Sequence, residues 1–124
     1  MNETAAPLFQ QIAALVEDTV VGGDLAAGDR APSTNELAAF HDINPATARR
    51  GLSLLVERGV LVKRRGIGMF VTTHARRLIL DRRRKGFAAA YLVPLIDEAV
   101  KLDLSRQKVR ELVDAVAESR GLYI

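Results

Sequence analysis

Arg49 and Arg50 close the stretch Ile43-Asn44-Pro45-Ala46-Thr47-Ala48-Arg49-Arg50, in which the polar, small and basic residues fall within the first two turns of a helix. The chemistry these residues offer is recognition, not bond making. An arginine fork pairs bidentately with a guanine edge or clamps a phosphate, and small residues such as Ala46 and Thr47 let a helix end approach a groove closely. Asn44 is placed to cap that helix, with Pro45 at its first position, where a missing N–H costs nothing. The same residues also suit an ordinary capped amphipathic helix whose arginines are solvated.

A second basic cluster follows, in Lys63-Arg64-Arg65-Gly66-Ile67-Gly68. Three cations beside Gly66 and Gly68 suit a hairpin turn whose backbone can approach a phosphate or enter a minor groove. Read as a nucleotide-binding loop the segment fails, because it lacks a third glycine and a following helix N-terminus. Ser33, Thr34 and Asn35 open a further helix. Ser33 is needed as its cap, whereas Thr34 and Asn35 are free by position to touch a phosphate backbone. Residues 63–85 carry nine Lys and Arg against one acid, Asp81, a local excess of nine minus one, or eight, in a chain whose net charge is +3. Such a block fits a polyanion or a solvated helix face equally well.

Catalysis and metal binding find no support. His41 and His74 are the only histidines, cysteine is absent, and no nucleophile stands near a base. Asp97, Glu98 and Asp103 read as a solvated face. No catalytic residue, metal ligand or cofactor is therefore assigned, and an enzyme is not expected.

The elements that must position these residues are mostly helical. Phe9, Ile12, Ala13, Val16 and Val20 repeat at helical spacing over 7–21, with Gln10, Gln11, Glu17 and Asp18 assigned to the outer face. Gly22-Gly23 ends that helix, and Leu25 anchors the following turn. Ser33 to Glu36 form a capping box ahead of a short helix from Thr34 to Phe40, buried through Leu37 and Phe40. After His41-Asp42-Ile43 the third helix turns Ala48, Leu52, Leu55 and Val56 inward and stops at Gly59. Gly51 in its interior costs about 1 kcal/mol relative to Ala, which predicts a close helix crossing there. Strands are predicted at 60–63 and 69–72. From His74 the helical pattern returns, bent or split by Gly86 and Pro94, and Ser105 caps a last helix over 106–119.

The length of 124 residues allows one modest domain, or a small domain with an appendage that needs a partner. Phe87, Tyr91, Leu92, Leu95, Ile96, Val109, Leu112, Val113 and Val116 exceed what one helical hairpin can bury, which predicts packing against a second subunit. No apolar run is long enough to span a membrane, and Met1 to Thr4 lacks the marks of a signal peptide, so the expected location is the cytoplasm, away from membranes.

Taken together, these segments resemble the GntR family of bacterial transcription regulators, and its short YtrA-like branch in particular. The resemblance runs through 7–12, 23–28, 31–38, 43–50 and 66–71. It implies an N-terminal winged helix-turn-helix over 1–73 and a short helical dimerisation region over 74–124. It further implies a homodimer on double-stranded DNA carrying a palindromic operator, a repressor in preference to an activator, and often an operon for an ATP-driven transporter. Any small-molecule effector would bind between the C-terminal helices or at the dimer seam. By position, Ser33, Asn35, Thr47, Arg49 and the wing from Arg65 to Gly68 correspond to DNA contacts, although many relatives have Arg where this chain has Asn35. The competing assignment is a winged-helix module whose basic wing meets an acidic protein surface.

Overall fold

The computed structural model describes residues 6–124, so the stretch Met1 to Thr4, read above for the marks of a signal peptide, lies outside the described residues. Helices dominate, with one antiparallel hairpin. The chain divides into two compact units between Arg83 and Arg84, later than the boundary expected at residue 73.

In the first unit α1 (Leu8–Val21), α2 (Thr34–His41) and α3 (Pro45–Glu57) are followed by β1 (Leu61–Arg64), β2 (Gly68–Val71) and the part of α4 (Ala75–Phe87) up to Arg83. Ile12, Ala13, Val16 and Val20 of α1 meet Ala48, Leu52 and Leu55 of α3, with Leu61, Val71, Ala75 and Ile79 completing one core. Ala75 and Ile79 explain the late boundary, because the first turns of α4 are committed to this core. Gly51 is buried at the α1–α3 crossing as expected: a Cβ there would lie 3.0 Å from Ile12 Cγ2 and 3.0 Å from the Phe9 carbonyl oxygen. Both strands sit one residue away from their expected limits, in the register Leu61↔Val71 to Arg64↔Gly68. Residues 28–31 add to the free edge of β2: Gly28 N–H donates to the Val71 carbonyl at 2.8 Å and Ala31 N–H to the Met69 carbonyl at 2.8 Å. This strap ties the hairpin to the entrance of α2.

Three burial expectations are corrected. Phe40 is 85% exposed, and Ala38 takes its place inside. At about 100° per residue, a face centred between Leu37 and Ala38 leaves Phe40 about 110° away, while His41 returns to it. Val56 lies at the rim of the α3 face and stays partly exposed. Glu17, expected on the outer face of α1, is 1% exposed.

Glu17 is tolerated inside because arginines from two other elements reach it. Its Oε1 accepts from Arg82 Nη2 of α4 at 2.7 Å and from Arg58 Nη1, at the end of α3, at 3.3 Å. Arg83 stands 3.8 Å from the same oxygen and 2.8 Å from Asp18. Burial pushes the Arg82 guanidinium below its ordinary value, and the adjacent Glu17 carboxylate opposes that shift. Much of the basic block after the wing is thus structural: Arg76 and Arg83 also donate to the Val21 and Ala14 carbonyls. Removing a buried partner costs about 3–5 kcal/mol in a dry site. Here the arginines keep 30–40% of their side-chain surface and can turn to water, so Glu17→Ala is expected to lower unfolding stability by about 1–3 kcal/mol. Urea titration would read this, and an unchanged midpoint would show that the cluster contributes nothing.

In the second unit a π-helical turn at Ala88–Leu92 leads into α5 (Val93–Lys101), and α6 (Arg106–Ser119) follows. Gly86 does not interrupt the helix, contrary to expectation. The irregularity belongs to Pro94, which lacks an N–H and crowds the carbonyl four residues back. The widened turn, with Val93 N–H bonded to the Ala88 carbonyl, relieves that crowding. Ser105 Oγ caps α6 by accepting from Lys108 N–H at 3.0 Å. Leu92, Leu95, Leu102, Val109, Leu112 and Val116 line an apolar groove of about 600 Å³. Among the described residues no helix is long and apolar enough to cross a membrane.

Candidate nucleic-acid interface

Local chemistry sets the two helices that face the interface. Ser33 Oγ accepts from Glu36 N–H at 3.1 Å and Glu36 Oε1 accepts from Ser33 N–H at 3.2 Å, closing the expected capping box. These bonds hold the Glu36 carboxyl below the usual carboxylate range. Asn44 Oδ1 accepts from Ala46 N–H at 2.8 Å and starts α3. Between the helices, Asp42 adopts φ 52°, the left-handed turn that redirects the chain. The wing tip needs its glycines: Gly66 has φ 75° and Gly68 φ 136°, and Ile67 N–H closes the turn onto the Arg64 carbonyl.

A cleft of about 480 Å³ opens between the start of α2, the outer side of α3 and the wing. Of the expected residues, Ser33, Thr34, Arg49, Lys63, Arg64, Gly66 and Gly68 line it. Asn35, Ala46 and Arg65 are exposed outside its lining, and Thr47 is partly buried. Asn44 spends its side-chain oxygen on the cap. Arg50 turns away, its guanidinium 3.8 Å above the Phe9 ring of α1. Arg64 keeps to the wing, 4.8 Å over Phe70. Among the described residues no carboxylate lies within ion-pair distance of Arg49 or Lys63. The lining contains no acid at all. Among the described residues no cluster of His, Cys, Asp or Glu could hold a metal ion.

Arg30 also lines the cleft and was absent from the sequence-based set. It directly follows the turn-forming segment 24–29, and the bridge that pairs it with Phe70 of β2 joins residues far apart in the chain. Only the basic character of Arg30, next to the capping box, could have singled it out.

The profile of the bacterial regulatory proteins of the gntR family matches residues 8–71, the span that builds this cleft. The chain belongs to the gntR family. As a gntR regulator it carries a DNA-binding winged helix-turn-helix, and its relatives are transcriptional regulators, not enzymes. It is 27% identical to the HTH-type transcriptional regulator YhcF of Bacillus subtilis over 94% of both chains. The HTH-type transcriptional repressor YtrA of B. subtilis is 23% identical over 92% of this chain and 87% of its own length. By contrast, this chain spans only 29% of the longer B. subtilis regulator YurK, at 30% identity over 56% of its own residues. That pattern is the one expected of the short, YtrA-like type. A GntR family transcriptional regulator from Listeria monocytogenes superposes with a TM-score of 0.70 at 27% identity, over 92% of this chain and 98% of the other. The AraR DNA-binding domain, solved in complex with operator ORX1, superposes with a TM-score of 0.54 at 25% identity, over 58% of this chain and 87% of that one.

Proposed function

We propose that this gntR regulator binds a palindromic operator as a homodimer and represses transcription of the genes beside it. The observation that carries the proposal is the acid-free cleft in which Arg49 and Lys63 converge without an internal partner. The unit that ends at Arg83 supplies DNA contact through Ser33, Thr34, Asn35, Asn44, Ala46, Thr47, Arg49 and the wing residues Lys63 to Gly66 and Gly68, while Arg50, first grouped with them, stays on the Phe9 ring. The unit from Arg84 supplies the dimer contact. Phe87, Tyr91, Leu92, Leu95, Ile96, Leu112, Val113 and Val116 are exposed on it, and Val109 is partly so. Such an apolar surface favours a second copy as its cover. Repression of a transporter operon draws support from the likeness to YtrA, which is named a repressor, together with the habit of the YtrA-like branch. A small effector would enter the apolar groove between α5 and α6.

Selection of bound duplexes from random DNA, joined to sedimentation of the free protein, tests the proposal. The expected result is a palindrome whose half-sites lie about 34 Å apart or a multiple of that, bound by a dimer. Recovery of no preferred sequence, or a monomer at all working concentrations, would overturn it.

A further inference from the structure

The wing carries a device that the arrangement of α3 does not require. Gly68 pairs with Arg64 in the hairpin register. A Cβ on Gly68 would fall 2.9 Å from Arg30 Nε and within 3.6 Å of its Cζ. The absent side chain is what lets the Arg30 guanidinium lie across the wing strand. Arg30 is itself held by its backbone, bridged to Phe70 and flanked by the Ala31 bond to Met69. A long cation is thus seated on a strand rather than left on a mobile loop, at the wall of the cleft that also holds Arg49 and Lys63. No carboxylate pairs with Arg30 among the described residues. Glu36 feels it only as the last of four influences, behind its bonds to Ser33 and desolvation.

We propose that Arg30, seated against Gly68, grips a DNA backbone phosphate in the cleft between the wing and the start of α2. Ser33 and Thr34 border the same cleft with hydroxyl groups, which suit a phosphate oxygen as well. The contact fixes the register of the wing on the duplex and carries no base information, because it engages the backbone alone. Gly68 then has two duties: it takes a backbone angle of φ 136° that side chains avoid, and it leaves the space the guanidinium occupies.

The inference rests on the DNA-binding reading, and one experiment separates the two. Binding of the 124-residue chain to a mixed-sequence duplex is followed by fluorescence anisotropy from about 50 to about 200 mM salt, where each neutralised phosphate adds about 0.9 to the slope of log affinity against log salt. Arg30→Ala is expected to reduce that slope by about 0.9 per bound protomer, alike on mixed DNA and on the selected palindrome. Arg30→Lys retains the charge and most of the slope. Arg110→Ala on α6 removes one positive charge outside the cleft and leaves the slope as it was. Thermal unfolding of Arg30→Ala near the parental midpoint shows that the fold is intact. A slope unchanged by Arg30→Ala, a fall matched by Arg110→Ala, or a loss confined to one DNA sequence overturns the inference while DNA binding stands. A parent chain that does not bind duplex DNA overturns both.

Discussion

Arg49→Ala weakens binding to the selected palindrome by about 1–3 kcal/mol, a factor of roughly 5 to 150, and relaxes the base preference at the position it reads. The expectation follows from what surrounds the side chain. Arg49 and Arg50 are adjacent and chemically identical, yet only Arg49 lines the acid-free cleft, while Arg50 stacks on Phe9. An arginine held on a ring has less reach, and its removal acts first on α1–α3 packing. Arg50→Ala is therefore the informative comparison, with the smaller loss in operator affinity. Anisotropy titrations of both variants on the palindrome and on mixed DNA read the difference. Equal losses for the two, or an Arg49→Ala protein with unchanged preference, would show that the cleft is not the reading surface.

The second large effect falls on the fold. Gly51→Val drives a branched side chain into Ile12 Cγ2 and the Phe9 carbonyl, each only 3.0 Å from where its Cβ must sit. The carbonyl is backbone and cannot swing aside, so α1 and α3 must separate. Overpacking of this kind costs about 1–3 kcal/mol, and the modest gain in helix propensity over Gly does not offset it. For a domain of this size the upper part of that range lowers Tm by about 10–20 °C. Gly51→Ala puts the same Cβ 3.0 Å from Ile12 Cγ2 and the Phe9 carbonyl but lacks valine's two further methyls, and its propensity gain of about 1 kcal/mol works against that crowding, so its shift is smaller. Calorimetry on the pair gives a graded series. A valine variant as stable as its parent would mean that the helices can part freely. Because α3 carries Arg49, the valine variant loses DNA affinity as well, and Arg49→Ala leaves Tm in place.

The limits of what could be read beforehand follow the range of the forces involved. Caps and turns depend on neighbouring residues. For that reason the Ser33 to Glu36 box, the Asn44-Pro45 helix start, the Gly59 stop and the wing glycines were all legible, as was the helix-turn-helix-wing order that they punctuate. Gly51 was legible too, since a glycine inside a helix has few purposes other than a close crossing. Burial inside a helix was less so. Phe40 has the type and spacing of a core residue, and it is outside because α2 meets its neighbours along the Leu37–Ala38 edge.

Residues joined over long distances in the chain were decided by the tertiary structure alone. Glu17 reads as a surface acid until Arg58 and Arg82, 41 and 65 residues further on, supply the hydrogen bonds that make burial tolerable. Arg49 and Arg50 are equivalent by type and position until the ring of Phe9 captures one of them. Arg30 is an unremarked residue after the turn until β2 brings Gly68 beside it. The sequence by itself determined the recognition apparatus of this gntR chain, because caps, glycines and helical periodicity act over a few residues. Which of its cations are spent on the fold and which keep no internal partner was settled only by packing, because a charge is committed by the partners that folding brings to it.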